Sequence, residues 1–236
     1  MCLNVLQKIL TGCRVIDGSL GGGFPSGSIS LVYGEAETGK TTLAMQCAVN
    51  CARKGYKTLF VDCDGTFSAQ RLSQLATGQS KDIAELIVLM RPDDFREQAT
   101  VIDGLVDYVT KNLGLVVFDT ITSLYRLRVA ESPSKTFELN RELNRQLAVL
   151  ATVAKTQKIA VLATSQVHSA LNEIPVGIEP VATRVLKFWA DTVISIKPTE
   201  NPKIIKMILE KNPRNLPAKV SDLRIEEAGV REYSIH

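Results

Sequence analysis

Residues 34–41 have the composition and spacing of a loop that binds phosphate. They read G-E-A-E-T-G-K-T and match the pattern G-x-x-x-x-G-K-S/T in full. Glycines let such a backbone turn sharply and bring its N–H groups close to phosphate oxygens, while the helix that follows directs its positive end at the same anion. The match predicts that Lys40 reaches the β- and γ-phosphates of a nucleoside triphosphate and that the Thr41 hydroxyl ligates Mg²⁺.

The predicted nucleotide contacts are the whole loop and the residue that follows it. They are Gly34, Glu35, Ala36, Glu37, Thr38, Gly39, Lys40, Thr41 and Thr42. Because backbone amides form the cradle, we expect the two glutamate side chains to point outward. A chance glycine-rich turn would match the same pattern, but an alternating apolar run, 28–33, precedes the loop and a helix-favouring run, 42–49, follows it. The order of strand, loop and helix favours phosphate binding.

Asp119 is a second candidate for this chemistry. It ends the apolar run 115–118, which is typical of a buried parallel strand with a polar residue at the carboxyl edge of the sheet. Ligands bind at that edge in open α/β sheets, so we predict that Asp119 holds Mg²⁺ directly or through water. A plain strand end is the alternative, since apolar runs that end in aspartate are common.

Apolar periodicity predicts the elements that would position these residues. Four further strands are predicted, at residues 57–62, 85–90, 159–167 and 223–226. The second of them reads as buried and the last as an edge strand. Three helices are predicted, at residues 1–11, 93–112 and 138–158. The alternating runs 191–197 and 203–210 form an antiparallel hairpin around a turn at Asn201-Pro202.

Composition predicts one domain inside a cell. The chain has 236 residues and 45% apolar content, enough for one core. We therefore expect a single domain over 1–236, with a lead-in helix and glycine-rich turn at 1–27 and the core at 28–236. Five unpatterned cysteines and two histidines argue against a zinc site and for reduced thiols. With neither a secretory leader nor an apolar run of about twenty residues, we expect a cytoplasmic protein without membrane contact.

The segment before the phosphate loop carries a more specific resemblance. Residues 11–42, T-G-C-R-V-I-D-G-S-L-G-G-G-F-P-S-G-S-I-S-L-V-Y-G-E-A-E-T-G-K-T-T, resemble the opening of the RecA/RadA recombinase ATPase core, and the likeness continues along nearly the whole chain. It implies an α/β fold, a RecA-like P-loop NTPase core with a mainly parallel twisted sheet flanked by helices. In such a fold the predicted hairpin of residues 191–210 is a C-terminal antiparallel extension of the sheet. ATP and Mg²⁺ are the cofactors that the resemblance implies.

Residues 62–72, D-C-D-G-T-F-S-A-Q-R-L, are similar to the family segment D-x-E-G-T-F-R-P-E-R-L. The likeness implies that Asp64 activates the attacking water and that Arg71 lies against adenine. Asp64 is one methylene shorter than the family glutamate, and because general-base geometry tolerates little misplacement, we expect slow hydrolysis. Solvent-exposed side chains at both positions are the alternative, and Asp62 could equally be a polar strand end.

Residues 164–167, T-S-Q-V, are similar to the family's T-N-Q-V. The likeness implies that Gln166 senses the γ-phosphate and relays it to a second DNA-binding loop at 168–180. A plain strand-end glutamine is the alternative. A polar loop between Arg126 and Glu138 corresponds by its order to the first DNA-binding loop.

Basic residues concentrate between positions 184 and 219, although the net charge is only +3. The candidates for contact with DNA are Arg184, Lys187, Lys203 and Lys206. Arg184 and Lys187 lie just before Trp189 and could equally be surface charges beside an apolar anchor. Lys211 and Arg214 occupy the position where RecA-like ATPases place residues that reach a neighbouring subunit's nucleotide; surface cations of a turn are the alternative.

Departures from the family pattern narrow the expected function. The chain begins at the ATPase core, both DNA loops look reduced, and Asp64 replaces the catalytic glutamate. The resemblance then implies an archaeal accessory protein of homologous recombination and repair that binds single-stranded, duplex or branched DNA. Its implied partners are the main recombinase RadA, a Holliday-junction resolvase and further copies of itself. An active strand-exchange enzyme or a KaiC-like or helicase-like motor is the alternative, and a small-molecule kinase is the least supported.

Overall fold

The computed structural model describes residues 6–167, 181–214 and 217–233. The strands are β1 (Lys8–Ile9), β2 (Phe24–Pro25), β3 (Ile29–Gly34), β4 (Lys57–Asp62), β5 (Ile87–Met90), β6 (Leu113–Asp119), β7 (Ala160–Gln166), β8 (Thr192–Pro198), β9 (Ile204–Lys211), β10 (Lys219–Glu226) and β11 (Gly229–Glu232). The helices are α1 (Arg14–Leu20), α2 (Lys40–Ala52), α3 (Ala69–Ala76), α4 (Ser80–Ala84), α5 (Phe95–Asp103), α6 (Leu105–Tyr108), α7 (Ser123–Glu131), α8 (Thr136–Gln157) and α9 (Val181–Trp189).

Nine strands form one sheet in the order β11-β10-β9-β8-β3-β7-β6-β4-β5. The six strands from β8 to β5 are parallel to one another, and β9, β10 and β11 extend the sheet in antiparallel fashion. Helices α1 and α2 cover one face of the sheet, and α5, α7, α8 and α9 cover the other. One apolar cluster lies under each of these two sets of helices. The predicted RecA-like architecture with its C-terminal antiparallel extension is confirmed.

The predicted helix over residues 1–11 is wrong for the part that the structure describes. Lys8–Ile9 is a strand that pairs with Phe24–Pro25. Lys8 Nζ also donates to the carbonyl oxygens of Leu20 and Gly21, at 3.0 and 2.7 Å, and so satisfies carbonyls at the C-terminal end of α1. Long-range pairing with the glycine-rich turn thus prevails over local helix preference.

Three other predicted elements are corrected. Residues 93–112 form two helices because the chain bends at Gly104, although the Asp94 side chain caps the first one by accepting from the amides of residues 96 and 97. The strand predicted at 85–90 is shorter and is an edge strand, not a buried one, with Val88 44% and Leu89 38% exposed. The strand predicted at the edge, 223–226, is internal because β11 pairs alongside it.

The polar loop predicted between Arg126 and Glu138 is also wrong. Helix α7 continues to Glu131, residues Pro133–Lys135 form a 3₁₀ turn, and α8 begins at Thr136. Leu124 and Tyr125 are buried under the sheet, and this burial holds α7 in place despite its polar exterior.

Among the described residues, no helix is long and apolar enough to cross a membrane.

Register brings the predicted site residues to one edge. Gly34 pairs with Gln166, and Asp62 pairs with Asp119. These four residues end the parallel strands β3, β7, β4 and β6. The carboxyl edge of the parallel strands therefore holds the candidate site.

Candidate nucleotide-binding site

Strand β3 and helix α2 position the phosphate loop as the sequence predicts. Gly39 is the N-cap of α2 in a left-handed conformation, with φ of 79°, and makes no side-chain cap. Among the described residues, the N-cap therefore supplies no side-chain acceptor to the first N–H groups of α2, which also lack intrahelical acceptors. The Glu37 side chain is exposed and that of Glu35 is half-buried. This geometry can bind an anion.

Lys40 lies inside the loop, with only 7% of its surface exposed. Its Nζ donates to the carbonyl oxygen of Glu35 and lies 3.4 Å from the Thr38 hydroxyl. Burial lowers the pKa of the Lys40 amine to about 8, and the carboxylates of Asp119 and Asp64 oppose that shift. A buried amine beside a main-chain carbonyl, in the field of two carboxylates, is placed to bind phosphate oxygens.

Asp119 is fully buried at the end of β6. Its Oδ1 accepts from the Thr164 hydroxyl at 2.5 Å, while Oδ2 has no hydrogen-bond partner among the described residues. Burial raises the pKa of the Asp119 carboxyl, and the hydroxyls of Thr164 and Thr41 act in the opposite direction. An orphaned, buried carboxylate oxygen near the Thr41 hydroxyl fits a Mg²⁺ ion, which prefers such oxygen ligands.

The described residues contain no group of three or more His, Cys, Asp or Glu side chains that could hold a metal ion. The described residues therefore offer Mg²⁺ few carboxylate ligands close together. That is typical of a metal that takes most of its ligands from substrate phosphates and water.

Asp64 lies just after β4 and is exposed. Its Oδ2 accepts from the Thr120 hydroxyl at 2.9 Å, and its Oδ1 accepts from the Ser123 hydroxyl. Both donors follow Asp119 along the chain. These two bonds hold the Asp64 carboxylate close to the Asp119 edge, and any water at Asp64 must share its oxygens with them.

Asp62 has a structural role that the sequence did not reveal. Its side chain is fully buried, which rules out an exposed strand end. It accepts from the amides of Thr66 and Phe67, at 2.9 and 3.1 Å, and from Arg91 Nε at 3.1 Å. Asp62 thus fixes the turn that carries Asp64.

Gln166 and Arg71 differ in what they contact. Gln166 is half-buried beside Gly34, and the amide of Val167 donates to the Gly34 carbonyl at 3.1 Å. The Arg71 guanidinium instead donates to main-chain carbonyls of residues 226 and 227, at the turn between β10 and β11. Arg71 is held by its own chain at this turn.

Two residues that the sequence did not single out also face the site. A cavity of about 240 Å³ over the loop is lined by Glu37, Gly39, Lys40, Thr41, Thr42 and Ile225. Ile225 comes from β10, so only the sheet topology could reveal it. Arg126 is half-buried; its guanidinium makes no hydrogen bond or ion pair with the described residues and interacts electrostatically with Lys40 and Asp64. Burial lowers the pKa of Arg126, and Asp64 opposes that shift.

The four residues predicted to contact DNA differ in exposure and in ion pairing. Arg184, Lys203 and Lys206 are exposed. Lys187 Nζ lies 2.9 Å from Glu210 Oε2 and 4.6 Å from the centre of the Tyr33 ring, so its charge is partly compensated. The loop predicted at 168–180 lies outside the described residues.

Lys211 and Arg214, predicted to reach a neighbouring subunit, contact their own chain. Lys211 Nζ donates to the Ala190 carbonyl at 2.5 Å, and the Arg214 guanidinium packs on Gly21. These contacts favour the alternative, in which Lys211 and Arg214 are cations of a surface turn.

Comparisons with known proteins agree with this architecture. Residues 3–233 match the Rad51 family. The chain is 35% identical over 227 residues to a protein of Thermococcus gammatolerans named DNA repair and recombination protein RadB, covering 95% of this chain and 98% of the relative. A Methanococcoides burtonii protein of that name is 32% identical over 196 residues, 83% of this chain and 85% of its own length.

A solved structure is also similar. It is the crystal structure of the RadB recombinase, with a TM-score of 0.80 and 31% identity, covering 96% of this chain and all of that one. Sequence and structure thus point to the same relatives. The chain belongs to the Rad51 family.

Proposed function

We propose that this chain is an ATP-binding, DNA-binding accessory protein of homologous recombination and DNA repair, with weak ATPase activity and no strand exchange of its own. The observation that supports nucleotide binding is the buried Asp119 oxygen, which has no hydrogen-bond partner among the described residues, at the same sheet edge as a phosphate loop that leads into the N-terminus of α2. The relatives named for DNA repair and recombination support the biological part.

In this proposal the residues of the site have separate roles. Amides of residues 35–41 and the Lys40 amine bind the phosphates, and Thr41 and Asp119 hold Mg²⁺. Bound Mg²⁺ would neutralise charge on the phosphate oxygens. Asp64 orients the attacking water and accepts its proton, and Gln166 contacts the γ-phosphate at the end of β7.

Weak hydrolysis follows from the geometry at Asp64. Its carboxylate starts one methylene further from the nucleotide than a glutamate would, and the Thr120 and Ser123 hydroxyls already use both of its oxygens. A general base that is misplaced by about 1 Å can cost on the order of 100-fold in rate. We therefore propose slow turnover, with the bound nucleotide acting mainly as a signal.

Asp64→Glu should raise the rate of phosphate release about tenfold, because the longer side chain brings its carboxylate closer to the γ-phosphate. Asp64→Asn should reduce release to background. The matched control is Asp82→Glu, which makes the same change at an exposed position in α4. An unchanged rate for Asp64→Glu, with normal ATP affinity, would remove this role of Asp64.

DNA contact is proposed for the exposed cations of the C-terminal extension. The double variant Lys203→Glu, Lys206→Glu should bind single-stranded, duplex and branched DNA more weakly and lower the salt slope of log K by about two. Lys54→Glu with Lys81→Glu is the control, since both lysines are exposed on other elements. An unchanged slope in gel-shift titrations over a salt series would place the DNA elsewhere.

RadA, a Holliday-junction resolvase and further copies of this chain are proposed as partners on the strength of the resemblance. Lys211 and Arg214 remain candidates for contact with a neighbouring subunit, and they would have to leave their present contacts to reach it. Sedimentation with ATP and single-stranded DNA separates this accessory role from the motor alternative, which requires a filament or ring.

A further inference from the structure

Helix α7 begins at the edge of the sheet that carries the phosphate loop. Strand β6 ends at Asp119, and the helix starts at Ser123, whose hydroxyl donates to the Asp64 carboxylate. The residue before the helix is also held, because the Thr122 and Ser165 hydroxyls share a buried hydrogen bond of 3.0 Å near the end of β7. The first turn of α7 therefore has a fixed position beside the carboxyl ends of β4, β6 and β7.

Arg126 extends from this turn toward the same edge. It follows Ser123 by three residues, and side chains three apart lie on one face of a helix. The two residues between them, Leu124 and Tyr125, are buried in the apolar cluster under the helix. Arg126 and Lys40 interact electrostatically, so the guanidinium lies on the side of α7 that faces the phosphate loop.

The Arg126 guanidinium has unused hydrogen-bonding capacity. It is half-buried and makes no hydrogen bond or ion pair with the described residues, although a guanidinium carries five N–H donors in a planar fork. Burial lowers the pKa of the Lys40 amine, and the Arg126 charge acts in the same direction, so the two cations repel each other. Two neighbouring cations gain stability when an anion binds between them. The ligand-free site is thus arranged for an anion that both cations contact.

We infer that Arg126 is a second cation of the nucleotide site, which donates from its guanidinium to the γ-phosphate of ATP bound in the same chain. The inference rests on the proposed function. The γ-phosphate is the group at which the roles proposed for Lys40 and Asp64 meet, and Arg126 interacts electrostatically with both residues. ADP lacks this phosphate, so the contact makes the site prefer ATP to ADP.

The same contact assists hydrolysis without transferring a proton. The water oxygen bonds to the γ-phosphorus, its proton passes to Asp64, and the bond to the β,γ-bridging oxygen breaks, which leaves the electron pair on ADP. The oxygens of the transferred phosphoryl group carry the charge of the transition state. A guanidinium stays charged at neutral pH, and its fork can bind two of these oxygens. Arg126 thus stabilises the transition state through charge and geometry.

Two nucleotides separate this contact from general phosphate binding. ADP and a non-hydrolysable ATP analogue, each with Mg²⁺, are titrated calorimetrically into the full chain at constant pH and salt. Arg126→Ala should weaken the analogue about 30-fold, because charge-assisted hydrogen bonds are lost, and leave ADP within about twofold. Arg126→Lys should lose less, since it keeps the charge but not the fork. The matched control is Arg128→Ala on the same helix, where Arg128 pairs with Glu131 at 2.9 Å, and it should change neither affinity.

Chemical rescue gives a second readout that a merely structural role would not move. Single-turnover phosphate release by Arg126→Ala at saturating ATP should fall about 100-fold. Guanidinium chloride at a low, non-denaturing concentration should restore part of the rate, because the alanine leaves room for one planar cation. Arg128→Ala should keep its rate and not respond to guanidinium. A lower rate without rescue and without loss of preference for the ATP analogue would mark Arg126 as a structural residue.

The outcomes test the inference separately from the proposed function. If the unaltered chain binds neither nucleotide, the proposed function fails. If it binds both, and Arg126→Ala leaves the ratio of the two affinities unchanged, Arg126 does not contact the γ-phosphate. Weaker DNA binding by this variant without nucleotide, with that ratio unchanged, would place the guanidinium on a DNA surface and also overturn the inference. Thermal melts of the ligand-free variants show that each is folded, and Arg126→Lys keeps the test valid should the alanine variant unfold.

Discussion

Lys40→Ala should lower the affinity for Mg²⁺-bound ATP by at least about 100-fold, because it removes charge-assisted hydrogen bonds to two phosphates. The amine is buried beside the Glu35 carbonyl and in the field of two carboxylates, so no mobile surface cation can replace it. Affinity is measured by calorimetric titration at constant pH and salt.

The control for this change is Lys54→Ala, which removes an exposed lysine just after the end of α2. It should leave ATP affinity unchanged. Burial disfavours the charged Lys40 amine, so the ligand-free Lys40→Ala protein should be at least as stable as the unaltered chain in thermal melts. A variant that folds and still binds ATP within about threefold would show that the phosphates lie elsewhere.

Asp119→Asn should abolish the dependence of ATP binding on Mg²⁺ and reduce phosphate release at least about 30-fold. The amide keeps the size of the side chain but loses the negative charge that a cation needs. ATP affinity is compared with Mg²⁺ and with a chelator, and release is followed at saturating ATP.

The same substitution should not destabilise the ligand-free protein. Asp119 is fully buried and Oδ2 lacks a partner among the described residues, so a neutral side chain removes the cost of burying a charge. A matched aspartate is Asp62, which is also buried but accepts three hydrogen bonds. Asp62→Asn should therefore lower the melting temperature. A melting temperature that falls for Asp119→Asn would mark Asp119 as a structural residue.

The sequence was sufficient for the parts of the site that depend on local order. A strand, a glycine-rich loop and a helix in succession determine where Lys40 and Thr41 lie. The aspartate that ends an apolar strand was equally accessible, because parallel strands bring their carboxyl ends to one edge. Both features follow from neighbours along the chain.

Contacts between segments that are far apart in the sequence could not be predicted in this way. The resemblance assigns Arg71 to adenine, yet its nearest acceptors belong to the turn between β10 and β11. Ile225 carries no local signal and reaches the loop only because β10 and β11 extend the sheet beyond β9. The lead-in segment became a strand for the same reason, since its partner is a glycine-rich turn further along the chain.

The most direct measurement is a crystal structure of the full chain with Mg²⁺ and a non-hydrolysable ATP analogue. The proposed function predicts phosphates on the amides of residues 35–41, Lys40 Nζ on the terminal phosphates, and Mg²⁺ between Thr41 and Asp119. An analogue bound away from the loop, or one bound there with Asp119 turned away from the metal, would contradict it.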